Sequence, residues 1–161
     1  FDIVKKFLGK DIIDDEKKEG IVKLSMIYPL QLYRSEGSAL MLPVLFANTE
    51  DRSVMLAEEV PEGSLFRFSM PPDFDVIDSV IQTALDVKEN EMPEADALII
   101  FSCIGRLASL GPMSSAEVEG LAGTWNSPMV GFFSLGEFGR VANGNPEFHG
   151  TTVSWAALKE K

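Results

Sequence analysis

Apolar residues recur along the chain with two different periods, which predict strands in some segments and helices in others. Three short apolar runs, at 42–47, 53–58 and 64–70, are separated by turn-forming residues. These runs predict the strands of an antiparallel meander. The period then becomes helical over 75–90, where apolar residues fall three and four positions apart. The first half of the chain therefore combines a small sheet with a long helix.

The second half of the chain contains further strand and helix patterns. A continuous apolar run at 97–103 predicts a central strand that is covered on both faces. Residues 114–117 have the spacing of a capping box and precede apolar residues at helical spacing. A second apolar run, at 129–135, predicts another buried strand. Residues 151–158 alternate between apolar and small or polar side chains, as in a half-buried strand.

These elements predict the α+β class, with a mixed, largely antiparallel sheet and two or three packed helices. The helix predicted over 75–90 is flanked by strands. A helix between two strands of one sheet forms an α/β crossover, so the pattern allows such a crossover at 75–103.

The start of the chain differs in pattern from the rest. Apolar residues share one helical face before Gly9, which stands where a helix stop is expected. Residues 10–20 are rich in Asp, Glu and Lys and are typical of a solvated connector. We therefore predict an N-terminal helix and charged connector at 1–23 and the main domain at 24–161. Pro29 limits the first strand of that domain to an edge or an irregular entry.

Composition excludes several classes of function. The chain has 161 residues and a net charge of −11, and it lacks the basic stripe that binds nucleic acid. Anionic membranes would repel it, and no apolar run reaches the ~18 residues of a membrane helix. The single cysteine, Cys103, excludes an intramolecular disulfide and fits a reducing compartment. We therefore expect a cytoplasmic protein without a nucleic-acid partner or membrane insertion.

Two clusters of polar residues follow the apolar runs of the second half. In the first, Cys103 and Arg106 lie three residues apart. The arginine there is suited to hold a carboxylate or phosphate, or to lower the thiol pKa. The alternative is a buried, inert cysteine with a surface arginine. In the second, Gly136 permits a tight turn, and Glu137 is either a partly buried carboxylate with a raised pKa or a solvated glutamate.

The third cluster contains His149 and Thr151. His149 is the only histidine, which excludes a site with two histidine ligands to a metal. The imidazole is a candidate general base, a candidate axial ligand of haem, or a structural hydrogen-bond donor. An enzyme with Cys103 as nucleophile and His149 as base remains a further alternative.

In this order, the three clusters resemble the C-terminal half of the FIST domain. The resemblance rests on residues 101–106, 131–137 and 148–152, and it extends over about 28–158. The chain departs from the family pattern at Phe133, Leu135 and Gly150. The first two replace residues with an aromatic hydroxyl, and Gly150 replaces an asparagine.

The resemblance implies a sensory input module of a bacterial signal-transduction protein, which passes its signal to an output domain. Amino acids are among the ligands suggested for the family, and some members are described as haem-binding nitric oxide sensors. We therefore expect a small-ligand site without turnover, with Arg106 pairing a ligand carboxylate and Glu137 an amino group. The expected site residues are Cys103, Arg106, Gly136, Glu137, His149 and Thr151. The alternatives are a haem-based gas sensor that uses His149 and a structural or protein-interaction domain.

Overall fold

The computed structural model describes residues 1–8, 19–35, 39–48, 50–70, 73, 75–140 and 146–161. Within these residues, the helices are α1 (Asp2–Leu8), α2 (Glu19–Ile27), α3 (Asp75–Asn90), α4 (Ile104–Leu110) and α5 (Ser114–Trp125). The strands are β1 (Leu30–Leu32), β2 (Leu40–Leu42), β3 (Val44–Asn48), β4 (Ser53–Leu56), β5 (Phe66–Phe68), β6 (Ala97–Cys103), β7 (Met129–Ser134), β8 (Glu137–Gly139), β9 (Glu147–His149) and β10 (Val153–Leu158). No helix in this part of the chain has both the length and the apolar character needed to cross a bilayer.

The chain divides into two compact units. The first unit comprises Phe1–Pro71 and Phe138–Thr151, and the second comprises Pro72–Glu137 and Thr152–Lys161. The chain thus passes between the units after Pro71, after Glu137 and after Thr151. The predicted boundary between 1–23 and 24–161 is a different division and stays a prediction.

The first unit contains small antiparallel sheets and two helices. β1 pairs with β2 and β5, β3 pairs with β4, and β8 pairs with β9. Its buried apolar residues form two clusters. One joins Val4 and Ile21 of the helices to β3, and the other is formed by leucines of β1 and β2. Alternate residues of these short strands point inward, which brings their apolar side chains together in the two clusters.

The second unit is a three-stranded sheet with helices against one face. β6 is central, with β10 antiparallel on one side and β7 parallel on the other. Leu98 and Ile100 of β6 pack with Ala84 of α3 and Leu121 of α5. Because β6 and β7 are parallel and in register, Cys103 lies opposite Ser134 at their carboxyl ends.

The α+β class is confirmed, and so are the helix at 75–90 and the strand at 97–103. The three predicted strands are present, although shorter, and the first run is divided between β2 and β3. The antiparallel meander is wrong, because β3 pairs with β4 whereas β5 pairs with β1 in another sheet. The parallel crossover, however, connects β6 to β7 through α4 and α5. The crossover predicted at 75–103 is wrong because β5 and β6 belong to separate sheets.

Several predictions about the N-terminal part of the chain need correction or lie outside the described residues. Part of the predicted connector and strand entry is helical, since α2 occupies Glu19–Ile27. β1 begins directly after Pro29 and is a central strand, because the proline precedes the first paired residue. The predicted helix stop at Gly9 and the connector at 10–18 lie outside the described residues.

Two predictions about the second half of the chain are wrong in detail. β7 is an edge strand, and it exposes 70% of Val130 and 64% of Phe132 instead of being buried. The predicted capping box does not form, since no side chain caps α5 and Glu117 is buried. The apolar sequence of β7 therefore belongs to an exposed edge strand and not to a buried strand.

Gly131 allows β7 to approach β6 closely. A Cβ atom at this position would collide with the backbone carbonyl oxygen of Ile100. We expect Gly131→Ala to lower the free energy of unfolding by about 1–3 kcal/mol, since the backbone must shift to accommodate the methyl group. Gly123→Ala in α5 is the matched control, because a Cβ there has open space around it. The free energy of unfolding of that variant should rise by about 0.5–1 kcal/mol. Urea unfolding of both variants measures the difference, and equal effects would contradict the packing described here.

Candidate functional site

The Glu137 side chain is held by neutral hydrogen-bond donors in the second unit. Glu137 is 2% exposed. The Ser134 hydroxyl donates to Oε1 at 2.7 Å, and the Thr152 hydroxyl donates to Oε2 at 2.9 Å. The backbone N–H of Thr152 and the Cys103 thiol also donate to this carboxyl group. A carboxylate in this position thus accepts hydrogen bonds from four groups that carry no charge.

The strand pairing brings these four residues together. Cys103 and Ser134 end the parallel strands β6 and β7, and the backbone N–H of Cys103 donates to the Thr152 carbonyl at 2.9 Å. The two-residue connection Leu135–Gly136 leads from β7 to Glu137, whose carboxyl group contacts Ser134 and Thr152 at the end of the sheet. The carboxyl ends of parallel strands are where open sheets of this kind bind ligands. We call Cys103, Ser134, Glu137 and Thr152 the Glu137 cluster.

Burial raises the pKa of Glu137 above its ordinary value near 4.5, while the hydrogen bonds from Ser134, Thr152 and Cys103 oppose that shift. In the described part of the chain, no lysine or arginine forms an ion pair with Glu137. The ionised carboxylate therefore lacks a countercharge from these residues. A cationic group bound next to it would stabilise the charged form.

This pKa shift predicts the pH dependence of stability. The unfolded chain ionises Glu137 at a lower pH than the folded chain does. The contribution of Glu137 to the free energy of unfolding is therefore most favourable below about pH 4.5. It decreases as the pH rises through the pKa of Glu137 in the folded chain. Relative to the wild type, Glu137→Gln should gain stability as the pH increases across this window. Urea unfolding at a series of pH values measures the difference, and a constant difference would contradict the shift.

Arg106 lies in the same unit but is already paired. Its Nε donates to Glu117 Oε2 at 3.1 Å, and its Nη2 forms an ion pair with Oε1. Both residues are buried, with Arg106 8% and Glu117 1% exposed. The guanidinium is thus bound to a protein carboxylate through one edge. The expected contact between Arg106 and a ligand carboxylate stays a prediction, and it has to use the remaining N–H groups, two on Nη1 and one on Nη2.

Sequence reasoning missed Glu117 as a partner for Arg106. The signal was present in the helical spacing, because Glu117 lies on the same face of α5 as the buried residues Leu121 and Thr124. A glutamate on the buried face of a helix requires a partner. The capping-box interpretation assigned its carboxylate to the backbone instead.

His149 and Thr151 belong to the first unit. The Nε2 atom of His149 is buried and has no hydrogen-bond partner among the described residues. Thr151 has a φ of 56°, which is uncommon for a β-branched residue, and its hydroxyl donates to the Gly150 carbonyl at 2.7 Å. A Cβ at Gly150 would lie 2.8 Å from Cδ of Pro43 and 2.9 Å from the Met41 carbonyl oxygen. That contact explains why glycine occupies this position.

The sequence model of the FIST C domain matches residues 1–140, which is most of the chain. The chain belongs to the FIST C domain family. FIST C domains are sensory domains of signal-transduction proteins. No curated protein and no solved structure gives a significant match to the chain.

The match separates the predicted site residues of this FIST C domain into two groups. Cys103, Arg106, Gly136 and Glu137 lie inside the matched region, whereas His149 and Thr151 lie beyond it. The structure brings Cys103 and Glu137 into contact and places Gly136 in the turn between β7 and β8. Ser134 and Thr152 complete the Glu137 cluster, although neither was among the predicted site residues. Thr152, and not its neighbour Thr151, donates to Glu137.

Haem is the alternative cofactor expected for this FIST C domain, with His149 as axial ligand. The unpartnered Nε2 has the chemistry of such a ligand. Two cavities in the described structure have volumes of about 190 and 210 Å³, and His149 lines neither of them. Both are smaller than the ~300–1,000 Å³ of ordinary small-molecule sites. His149 thus offers a ligand atom, but these two cavities do not fit a haem.

Proposed function

We propose that this FIST C domain is a cytoplasmic sensory domain of a bacterial signalling protein that binds an amino acid or a similar small anion without turnover. In this proposal, ligand binding changes the signal passed to an output domain or protein. The observation that carries the proposal is the Glu137 cluster, in which a buried carboxyl group accepts hydrogen bonds from uncharged groups alone among the residues that the structure describes.

The ammonium group of an amino acid supplies the positive countercharge that the Glu137 carboxylate lacks. An ammonium ion donates three hydrogen bonds and bears a full positive charge. Hydrogen bonds between charged groups contribute about 1.5–3 kcal/mol, roughly twice the contribution of neutral ones. Ser134, Thr152 and Cys103 hold the Glu137 carboxyl group in place, so its orientation does not depend on the ligand. Such preorganisation favours binding.

Arg106 is the proposed partner for the ligand carboxylate. Glu117 engages its Nε and Nη2 and fixes the plane of the guanidinium. Two N–H groups of Nη1 and one of Nη2 are then the donors for the ligand carboxylate. Glu117 is then a positioning residue in the proposal, and Arg106 is a binding residue.

A thermal-shift screen against each of the twenty common L-amino acids tests this proposal. A ligand at 100 times its dissociation constant adds about 2.7 kcal/mol of stability, which raises the melting temperature of a domain of this size by about 5–10 °C. Glu137→Gln should reduce the shift to about half or less, since binding that is tenfold or more weaker leaves at most about 1.4 kcal/mol of this stabilisation. Glu119→Gln, which removes the same charge from an exposed position of α5, should retain it. The absence of a shift across the panel, or an unchanged shift in Glu137→Gln, would contradict the proposal.

A haem-based sensor that uses His149 is the second candidate. The observation that favours it is the buried, unpartnered Nε2 atom. An absorbance titration with haem should give a saturable Soret band that His149→Ala removes and Glu147→Gln keeps. A band that is equal in His149→Ala and the wild type would reject this candidate. If neither an amino acid nor haem binds, a structural or protein-interaction role is the remaining alternative.

A further inference from the structure

The core of the first unit contains a cavity of about 210 Å³ that is lined only by hydrocarbon side chains. Its ten lining residues include Leu30, Leu32, Leu42 and Val54, and none has a polar or charged side chain. Leu42 is 1% exposed, and Leu30 and Leu32 are each 6% exposed. These leucines therefore form the buried part of the cavity.

The cavity adjoins both apolar clusters of this unit. Leu30, Leu32 and Leu42 belong to the cluster of β1 and β2, whereas Val4 of α1 belongs to the cluster with Ile21 and β3. The apolar side chains that face the cavity lack packing partners on that side, which forfeits dispersion contacts that an apolar occupant would restore.

The lining determines the chemistry of an occupant. An ordered water needs two to four polar partners, which these side chains do not offer. A charged group would lose its hydration without compensation. An apolar cavity of ~150 Å³ in another protein binds benzene. At about 210 Å³, this cavity has roughly 1.4 times that volume and fits an apolar molecule of about eight non-hydrogen atoms.

The structure also indicates an entry route. Ile3 of α1 and Phe66 of β5 line the cavity and are 53% and 37% exposed, so they mark its open side. α1 has only seven residues, too few to be a stable helix by itself. Its ion pair between Asp2 and Arg52 is exposed at both ends, and such pairs contribute little. Val4 nevertheless fixes α1 to the apolar core, so a ligand enters past the exposed side chains of Ile3 and Phe66 and not by displacement of the helix.

We propose that the first unit binds a small, uncharged, apolar molecule, such as an alkylbenzene, in this cavity. The site is separate from the Glu137 cluster, which lies in the second unit, and it takes a ligand of different chemistry. The inference does not depend on the proposed amino-acid site. This FIST C domain would then carry an apolar ligand site in addition to the polar one.

Methyl NMR of the whole chain, titrated with ethylbenzene, tests the proposal. We expect saturable shifts at the methyl groups of Leu30, Leu32, Leu42 and Val54, and no change at Leu158 in the second unit, which lines neither described cavity. Benzylammonium has the same number of non-hydrogen atoms but carries a charge, and it should not shift these methyl groups. The absence of saturable shifts with ethylbenzene, or equal shifts with benzylammonium, would overturn the proposal.

A substitution that fills the cavity provides a second test. Val54→Phe should weaken ethylbenzene binding about tenfold or more, because the ring occupies the ligand volume. Val130→Phe is the matched control, since it adds the same atoms at an exposed position, and it should bind like the wild type. Unchanged affinity in a folded Val54→Phe protein would overturn the site. If Val54→Phe does not fold, the wild-type titration decides the question, since it needs no substitution.

Discussion

Replacing Glu117 with alanine is expected to lower the free energy of unfolding by about 3–5 kcal/mol. Glu117 is 1% exposed and forms two contacts with the Arg106 guanidinium, which is itself buried. The alanine variant leaves that guanidinium without its carboxylate in a region that water does not reach freely. The large expected effect is the cost of an uncompensated buried charge and not the net contribution of the pair.

A double variant distinguishes these two quantities. Arg106→Met combined with Glu117→Leu replaces the ion pair with apolar side chains of similar size. Such replacements are often neutral or stabilising, so the double variant should recover most of the loss measured for Glu117→Ala. Urea unfolding of the wild type and both variants provides the comparison. A loss below about 1 kcal/mol for Glu117→Ala is the size expected of an exposed pair and would contradict the buried ion pair.

Leu98→Ala is expected to lower the free energy of unfolding by about 2–5 kcal/mol. Leu98 is 1% exposed and packs with Ala84, Leu121 and Trp125 in the core of the second unit. The variant loses the transfer free energy of the removed atoms and leaves a cavity between β6 and the helices. Thermal or urea unfolding measures the effect.

Leu158→Ala is the matched control for Leu98→Ala. Leu158 is at the end of β10 and is 45% exposed, so its truncation removes little buried surface. We expect a change within about 0.5 kcal/mol. If the two substitutions lower the free energy of unfolding equally, the described packing of β6 against α3 and α5 is wrong.

The elements with a strong local pattern were predictable from the sequence. The helix over 75–90 was found because its apolar residues recur at helical spacing, and the strand over 97–103 because its apolar run is continuous. Both patterns depend only on near neighbours in the chain. The α+β class follows from such elements.

The position of each element in the sheet was not predictable in the same way. β7 has as apolar a sequence as β6, yet it forms the edge of the sheet and exposes Val130 and Phe132. Burial on both faces depends on which strands lie beside it, and that information is not contained in its own residues. The same reason applies to the parallel pairing of β6 with β7, which depends on α4 and α5.

The candidate site was predictable in part. The sequence offered a partly buried carboxylate at Glu137 as one of two alternatives, and the structure buries it. Thr152 was missed because it reaches Glu137 from fifteen residues away through the pairing of β10 with β6. Ser134 was missed although it is only three residues from Glu137 in the sequence. Arg106 was predicted from its position near Cys103, but its partner Glu117 is on another helix. Side-chain pairing over such separations requires the fold.

Titration calorimetry with Glu137→Gln tests the central claim most directly. The probes are the L-amino acid with the largest thermal shift and the carboxylic acid that lacks its ammonium group. We expect the amino acid to bind Glu137→Gln about tenfold or more weakly than the wild type, since a charged hydrogen bond contributes about 1.5–3 kcal/mol. The deaminated acid should bind both proteins equally weakly. Equal affinity of the amino acid for the two proteins would contradict the claim that Glu137 holds the ligand ammonium.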